Sequence, residues 1–546
     1  MLSGLFWQSI SHGAVYYVDH SHPRASDTNR GTDEAKPWNS LDQAMKTVKP
    51  GDTVYVKGSS NAESADAVYR TTGSAGFAVR TPGLKGRPIS FLAAKGHTVI
   101  VEGRMNGVGI DLTNASHHIF RGFVIRRFGK ATEGSGATGV LIERCEFTQT
   151  KETGLRLREV SDFTMRDCHV HHCAESGISV RNGTNITFER VESSYNSDGR
   201  GSDGDGDGFH TYGGENFRFI DCVARGNSED GFDLNANATL LNCVSSGHTA
   251  CNIKLWRRKE DNFAPKSMLL VNCLVYGAKE AGIKVSEGAT LILYNSVVYG
   301  NGEEGVAFRR PNHNRGPHKI ESRLVNNIIA HNGGRAISVA QQTPSRNRVH
   351  ADHNLYYLNG QPNVGLAENS HAIEDKAPLF FAARAGDFNL RPGSPALDAG
   401  VPLKEVTFDH QRRKRPFGGI PDIGAMERVP IVGNKAPTFH KPKLSALDVN
   451  EGETLRLTFN AEDPEGHRPV FLLDDSALNE MNIDRQSGEF IFRPTFDQGG
   501  NNNQTSHVHK VKVLVTDEHY AFPASAVELT ITVHNVNRLP VYGGLP

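Results

Sequence analysis

A repeat of 21 to 31 residues constrains the fold of this 546-residue chain more than any other feature of its sequence. Five of the seven cysteines recur in one local context, and three other residues fill the same slot: Cys145, Cys168, Val191, Cys222, Cys243, Cys273, Ser296 and Asn327. A Gly-apolar-x-apolar motif follows nine residues later in all but one repeat: Gly154, Gly177, Gly231, Asn252 in place of glycine, Gly282, Gly305 and Ala336. In the exception, Gly208 follows Val191 by seventeen residues, which indicates an insertion within residues 197–206. Units of this length, each with short strands at fixed offsets, are typical of the coils of a parallel β-solenoid.

Residues in the same repeat slot are expected to stack from coil to coil. We interpret the five repeating cysteines as a buried ladder of small apolar side chains, because they lack both zinc spacing and the pattern of a disulfide framework. A third series, five residues after the first motif, predicts a stacked turn ladder of Asn196, Asn227, Asn301 and Asn332. The predicted fold class is therefore all-β.

Two domains are expected. The β-helix is predicted to span residues 14–428, beginning with a capping segment that contains a helix from about Asn39 to Val48, with Asn39 as its N-cap. The stretches FNLRPGSPALDAG and PDIGAMER mark its end. Residues 437–537 alternate apolar and polar residues in short runs, which predicts a small antiparallel β-sandwich similar to immunoglobulin- or cadherin-like modules. We expect that module to be a spacer or to contact carbohydrate, and we assign no metal to it.

The charge balance and hydropathy limit the possible partners. Lys plus Arg (60) nearly equals Asp plus Glu (61), which gives no reason to expect nucleic-acid binding. No apolar run approaches the roughly 20 residues that a membrane span needs. The first residues do not make a secretory signal as they stand, so a secreted or cell-surface location is inferred from the architecture. A monomer is expected.

Outward-facing positions of successive coils form columns of polar residues. One column is predicted to contain Arg156, Ser179, His210, Asp233, Lys254, Lys284 and Ala307, and the next contains Arg158, Arg181, Tyr212, Asn235, Trp256, Ser286 and Arg309. The preceding turns add three acids, Asp207, Glu229 and Asp230. At a coil spacing of roughly 4.8 Å, one stacked pair of these carboxylates repels by about 3 kcal/mol at an effective dielectric of 20. Hard oxygen ligands in an irregular array favour calcium, whereas a solvated acidic turn is the alternative.

An EF-hand is a rival interpretation of the D-x-D-x-D-G run at Asp203, Asp205 and Asp207. We reject it, because Gly214 stands where the loop needs glutamate and the flanking helices are missing.

The stretch DGDGFHTYGGENFRFIDCVARGNSEDGFDL, followed by ACNIKLW, resembles the pectate lyases of polysaccharide lyase family 9. The close resemblance covers about 50 residues within a solenoid-wide likeness. It implies a right-handed parallel β-helix that cleaves an acidic polysaccharide by β-elimination. It also implies that calcium is bound by Asp207, Glu229, Asp230 and Asp233, and that Lys254 is the base. Glu229 stands where aspartate is usual in that family, and Asn252 replaces the glycine before the lysine strand.

The implied mechanism sets requirements that can be tested. Calcium would stabilise the charge that develops on a uronate carboxylate while Lys254 removes the C5 proton. A lysine base must be neutral, which predicts an alkaline optimum and a calcium requirement. A salt-bridge role for Lys254, paired with Asp233, is the plain structural alternative, and Lys284 is the reserve candidate for the base. We expect a structural hydrogen bond rather than catalysis for His210. No other cofactor is expected.

Substrate contacts are expected from aromatic and cationic residues near this column: Tyr212, Trp256, Arg257, Arg258, Lys284, Arg309 and Arg310. Pectate is the expected polymer by resemblance only. A uronate C5 epimerase, a β-helix glycoside hydrolase that recruits Asp203 or Asp205, and a non-catalytic adhesin are the alternatives that the sequence leaves open.

Overall fold

Short parallel strands stack in three columns to form a long parallel β-helix in this computed structural model. The described residues are 13–71, 75–78, 80–197, 206–256, 266–286, 289–309, 320–340, 347–431, 433–440, 447–474, 476–478, 480–499, 505–520 and 524–536. Among them, the β-helix strands are β1 Val15–Val18, β2 Thr53–Val56, β3 Val68–Arg70, β4 Ala75–Phe77, β5 Ile89–Ala93, β6 Val99–Glu102, β7 Val108–Asp111, β8 His118–Arg121, β9 Phe123–Arg126, β10 Lys130–Ser135, β11 Leu141–Glu143, β12 Glu146–Thr148, β13 Leu155–Arg158, β14 Ser161–His171, β15 Ile178–Ser194, β16 Phe209–Ile220, β17 Val223–Arg225, β18 Phe232–Asn235, β19 Ala238–Leu241, β20 Val244–Ser246, β21 Ile253–Leu255, β22 Ser267–Val271, β23 Leu274–Tyr276, β24 Ile283–Val285, β25 Thr290–Tyr294, β26 Val297–Tyr299, β27 Val306–Phe308, β28 Ile320–Val325, β29 Ile328–Ala330, β30 Ile337–Val339, β31 Asn347–Asp352, β32 Leu355–Tyr357, β33 Glu368–Ser370 and β34 Ile373–Glu374.

One of the three columns carries the polar residues of interest. It consists of β4, β7, β10, β13, the first parts of β15 and β16, then β18, β21, β24, β27 and β30, each paired in parallel with the next. Side chains alternate between the interior and the surface along each strand. The inward ones form a continuous apolar core that includes Phe209, Phe232 and Ile253. The predicted all-β solenoid is confirmed.

Six of the seven cysteines lie in this core, and Cys251 packs in a separate small cluster with Ala281 and Ala307. All seven are buried and unpaired, and Cys145 and Cys168 contact each other on adjacent coils through a backbone N–H of 145 that points to Sγ of 168 at 3.3 Å. The predicted apolar ladder is the observed arrangement. The Asn ladder also forms: Asn196 donates to Asn227 at 3.0 Å, and Asn301 donates to Asn332 at 2.8 Å.

The Asn ladder leaves no room for a side chain at the glycine of the Gly-apolar-x-apolar motif. A Cβ at Gly208 would lie 2.8 Å from Asn227 Nδ2, and one at Gly282 would lie 2.7 Å from Asn301 Nδ2, which is too close for a side chain. The corresponding ladder residue for position 252 is Ala278, whose small side chain leaves room. Asn252 fills that room and donates to Asn301 Oδ1 at 2.7 Å, which explains why asparagine replaces glycine there.

The capping helix α1 spans Leu41–Thr47, and Leu41, Ala44 and Met45 are buried in the same core. Its N-cap is Ser40, whose side chain accepts the Gln43 N–H at 3.2 Å. The prediction that Asn39 caps this helix was therefore wrong by one residue. A short 3₁₀ helix, Ala65–Ala67, follows.

The chain divides into two compact units. The first contains residues up to Lys376 together with Leu403–His410 and Ile423–Ala425, and the second contains Ala377–Pro402, Gln411–Asp422 and the residues from Met426 onward. The limits predicted for the two domains, residues 14–428 and 437–537, stay a prediction.

The second unit contains β35 Phe380–Ala382, a 3₁₀ helix at Ala383–Ala385, β36 Asp387–Leu390, β37 Thr438–Phe439, β38 Leu447–Asn450, β39 Leu455–Thr458, β40 Ala461–Glu462, β41 Pro469–Leu473, β42 Met481–Ile483, β43 Glu489–Phe492, β44 Ser506–Asp517 and β45 Ser525–His534. A four-stranded sheet in the order β38-β45-β44-β41 and a three-stranded sheet in the order β39-β43-β42 share a buried apolar core. The pairs are antiparallel except β38 with β45. The expected sandwich is present, with one parallel pair at an edge.

No helix among the described residues is long and apolar enough to span a bilayer.

Candidate functional site

Outward side chains of the polar column line up in the order expected from the sequence. His210 on β16 faces Asp233 on β18, Asp233 faces Lys254 on β21, and Lys254 faces Lys284 on β24. Parallel pairing in register therefore brings acidic and basic groups together although they are 21 to 30 residues apart in sequence.

Asp207, Asp230 and Asp233 form a buried carboxylate cluster, in which one oxygen of each lies within 4.8 Å of the others. All three residues are at most 5% exposed. Backbone groups hold the cluster: the Asp230 N–H donates to Asp207 Oδ1 at 3.0 Å, and the Cys251 N–H donates to Asp230 Oδ1 at 2.8 Å. The acids are thus fixed by the coil itself and not only by their side-chain partners.

The amine of Lys254 lies against this cluster. Its Nζ is 2.7 Å from Asp233 Oδ2 and 3.1 Å from Asp230 Oδ2. The indole N–H of Trp256 donates to the other oxygen of Asp233. One lysine on the next coil therefore faces two of the three acids, and a tryptophan orients one of them.

The charges of the cluster are not balanced by its own residues. Burial, together with the charges of Asp233 and Asp230, raises the pKa of Asp207 well above its usual range. Burial also raises the pKa of Asp230, and the nearby Lys254 only partly opposes it. Burial alone would lower the pKa of Lys254, but the charges of Asp233 and Asp230 outweigh burial and raise that pKa. A further cation would relieve the repulsion among the three acids.

A family model described as "Pel9A-like, right handed beta helix region" matches residues 16–334. This chain belongs to the Pel9A-like right-handed β-helix family. The match covers every strand of the polar column except the last, β30, and includes every member of the carboxylate cluster and Lys254. The predicted handedness is confirmed with it.

Pectate lyases are among the relatives and solved structures to which this chain is similar. Pectate lyase L of Dickeya chrysanthemi is 23% identical over 450 residues, which cover 77% of this chain and 92% of that protein. Pectate lyase L of Dickeya dadantii (strain 3937) is 22% identical, with the same coverage. The crystal structure of pectate lyase Pel9A has a TM-score of 0.45 and 16% identity and covers 77% of this chain and 98% of that one. The predicted resemblance and enzyme class, a polysaccharide lyase of the β-helix type, are confirmed.

Three of the four calcium ligands implied by the resemblance to family 9 pectate lyases meet in the cluster, and Glu229 does not. Its carboxylate is absent from the group of three, although its charge contributes to the raised pKa of Asp207. His210 Nδ1 lies 3.4 Å from Asp207 Oδ2, while its buried Nε2 finds no hydrogen-bond partner among the described residues. His210 thus contacts the acid of its own coil.

The expected substrate-contact residues fall into three groups. Tyr212 and Trp256 lie together, with ring centroids 5.8 Å apart, beside the cluster. Lys284 and Arg309 have acidic partners of their own, since Lys284 Nζ is 3.6 Å from Glu280 and Arg309 Nη2 is 3.0 Å from Glu304. The remaining three, together with the two acids considered for an EF-hand or a hydrolase, lie outside the described residues: Arg257, Arg258, Arg310, Asp203 and Asp205.

Sequence reasoning missed the polar groups that hold the acids. Ser176 Oγ accepts the Asp207 N–H at 3.3 Å, and the Cys251 N–H holds Asp230. Both contacts come from turns of neighbouring coils, and no residue type in those turns signals them. The regular coil spacing is the one signal from which they could have been inferred.

Two other groups of acids and histidines occur in the described part of the chain. They are Asp352 with His353 and His371, and Asp463 with His467 and Asp517. In the first, one oxygen of Asp352 contacts both histidine Nδ1 atoms, at 2.8 and 2.9 Å. In the second, His467 Nδ1 lies 3.2 Å from Asp517. Each group contains imidazole, whereas the cluster beside Lys254 offers carboxylate oxygens alone.

Proposed function

We propose that this protein is a calcium-dependent lyase that cleaves a uronate-containing polysaccharide, of the pectate class, by β-elimination with Lys254 as the base. The observation that carries this proposal is the position of the Lys254 amine, 2.7 Å from one buried carboxylate and 3.1 Å from a second. Three acids and one amine on adjacent coils supply both a cation site and a proton acceptor within one substrate-sized region.

The cluster residues fit a hard divalent cation. Asp207, Asp230 and Asp233 offer only oxygen, their ligand atoms lie within 4.8 Å of one another, and the pKa of Asp207 is strongly raised without a cation. Oxygen-rich, irregular sites of this kind are those that calcium prefers. Calcium held there would stabilise the negative charge that develops on the substrate carboxylate as the C5 proton is lost. Glu229 is proposed as a further ligand, because its charge already acts on Asp207.

Lys254 has to give up its proton before it can accept one from carbon. Asp233 and Asp230 keep the ammonium form favoured when no other cation compensates their charge. When that charge is compensated, burial of the amine favours the neutral form, which can remove the C5 proton. The electron pair left on C5 then forms the C4–C5 double bond. The bond from C4 to the glycosidic oxygen breaks, and that oxygen keeps the electron pair and takes a proton from solvent.

Substrate class and location follow from the same chemistry. A sugar without a carboxyl group at C5 has no acidic hydrogen there, so neutral polymers are excluded as substrates of this step. The relatives named pectate lyases support galacturonan over other uronates.

A polymeric substrate of this kind is found outside cells, which supports secretion. We also propose that the protein acts as a monomer.

Incubation with polygalacturonate tests the proposal. A lyase produces an unsaturated uronate, whose ultraviolet absorbance should grow in the presence of calcium and stop when a chelator is added. New reducing ends without that absorbance would indicate a hydrolase instead. A change in uronate configuration, seen by NMR without chain cleavage, would indicate an epimerase.

A further inference from the structure

A cavity of about 310 Å³ opens on the same face of the β-helix, on the coils that precede the carboxylate cluster. Its lining includes Arg156, Arg158, Ser179, Arg181, His210 and Tyr212. The last two belong to the coil of Asp207, so the cavity adjoins the proposed active site. Three of its lining residues are arginines.

Within the described residues, Arg158 and Arg181 are stacked without a counter-ion. They face each other in register on β13 and β15, and adjacent coils are roughly 4.8 Å apart. Both side chains are exposed, and neither has a carboxylate within ion-pair distance in the described part of the chain. Arg156, by contrast, contacts Glu175 at 2.9 Å. As far as the structure describes the chain, two like charges on neighbouring coils therefore lie without an acid between them.

On another face of the β-helix, arginines on successive coils are paired with acids. Arg166 Nε lies 3.2 Å from Glu143, which also binds Arg121, and Arg190 contacts both Asp167 and Glu189. On that face acids and arginines alternate from coil to coil. The Arg158–Arg181 pair departs from this alternation, and it does so beside the proposed active site.

A continuous path joins the arginine pair to the cluster. The Arg181 guanidinium lies over the Tyr212 ring, 5.0 Å from its centroid. Tyr212 contacts Trp256, whose indole N–H is bonded to Asp233. Counting coils along this column, Arg181 precedes Trp256 by three and Arg158 precedes it by four. The corresponding separations along the axis are about 14 and 19 Å.

We propose that Arg158 and Arg181 form a subsite for a carboxylate of the acidic polysaccharide, several sugar residues from the bond that is cleaved. The proposal rests on the proposed function for its substrate class. Guanidinium groups bind carboxylates in a bidentate manner, which suits a repeating uronate chain. A polymer that lies along the helix axis reaches both Lys254 and the arginine pair, whereas a short oligosaccharide at Lys254 does not.

Arg158→Gln and Arg181→Gln variants test the subsite by kinetics. Each should raise KM for polygalacturonate about tenfold at unchanged kcat, and should leave kcat/KM for a digalacturonate-length substrate unchanged. The matched control is Arg190→Gln, in which the lost guanidinium is already paired with acids. An unchanged KM for the polymer, or a fall in kcat at unchanged KM, would overturn the proposal.

Binding without turnover separates this proposal from the proposed function. In a gel that contains polygalacturonate and a chelator, the wild type should be retarded and the double variant should not, while fully methyl-esterified pectin should retard neither. Equal retardation of both proteins by polygalacturonate overturns the subsite. Absence of lyase activity in the wild type, with retardation that still depends on the arginines, overturns the proposed reaction and leaves the subsite standing.

Discussion

Lys254 Nζ lies 2.7 Å from Asp233 Oδ2, and the two residues face each other on adjacent coils. Parallel pairing fixes this distance, because each strand is held in register by its neighbours on both sides. The Trp256 indole holds the other oxygen of Asp233 and so limits the rotation of the carboxylate. Among the described residues, the ammonium group is thus the cation nearest to the acids, and it contacts the carboxylates that are proposed to hold calcium.

Replacement of Lys254 by alanine should remove the base without unfolding the protein. A positioned general base contributes on the order of 10²–10⁴-fold, so kcat on polygalacturonate should fall by that factor. Its side chain is 33% exposed, and the apolar core beneath it is untouched. Lys284→Ala, one coil away, is the matched control. Its kcat should fall by less than tenfold. The reverse ranking of the two variants would transfer the role of base to Lys284.

Asp207→Asn should have opposite effects on stability and on calcium binding. Because the buried Asp207 carboxylate has a raised pKa, it destabilises the metal-free fold at neutral pH, and this penalty lessens as the pH falls. The amide should therefore raise the metal-free melting temperature, by about 2–4 °C for each kcal/mol relieved. It should also weaken calcium binding at least about tenfold, as measured by calorimetry. A lower metal-free melting temperature at unchanged calcium affinity would contradict a metal role for this cluster.

Much of this architecture could be predicted from the sequence, because a solenoid repeats the same local contacts. The spacing from Cys222 to Cys243 already fixed which outward residues follow one another, and so predicted that Asp233 stacks on Lys254. Turn geometry was less accessible: Glu229 is next to Asp230 in sequence, yet its carboxylate lies outside the cluster. The N-cap of the helix is Ser40 and not the predicted Asn39. Both residue types are good N-caps, so the sequence alone does not distinguish them, whereas tertiary packing does.

The significance of the Arg158–Arg181 pair could not be read from its column alone. Both residues were visible as outward positions, but other outward arginines of this chain, such as Arg121, Arg166 and Arg190, have acidic partners on neighbouring coils. Whether a particular arginine is paired depends on side-chain directions in the neighbouring coils. Those directions are set by packing, which a repeat pattern does not report.

Arg485→Ala should destabilise the second unit more than its exposure suggests. Its Nη2 lies 2.6 Å from Oδ2 of Asp387, a residue only 2% exposed, and Tyr520 Oη donates to the same oxygen at 3.2 Å. Removal of the guanidinium leaves a buried carboxylate without its charged partner, which should cost about 2 kcal/mol. Arg456→Ala removes an exposed pair with Glu489 and should cost less than about 1 kcal/mol. Equal melting temperatures for the two variants would show that the Arg485–Asp387 pair stabilises the second unit no more than an exposed ion pair does.

Acid sensitivity of the β-helix should depend on His248, which occupies the turn-ladder slot between Asn227 and Ala278. Its Nδ1 accepts the Asn227 N–H at 3.1 Å, and burial lowers the pKa of this histidine to about 3. In the unfolded chain this histidine binds a proton near pH 6.5, whereas in the folded protein it stays neutral. The free energy of unfolding is therefore undiminished by His248 above that pH and falls as the pH drops toward 3.

The slope from this one group is at most about 1.4 kcal/mol per pH unit. His248→Asn restores the ladder residue without a titrating group, so the variant should lose less stability than the wild type between pH 6.5 and pH 4.5. Urea unfolding at several pH values measures this, with His371→Asn as the control because that side chain is 69% exposed. His118, whose pKa burial lowers to about 4, should supply much of the slope that remains. Parallel stability profiles for His248→Asn and the wild type would show that the buried imidazole is not what makes the helix acid-sensitive.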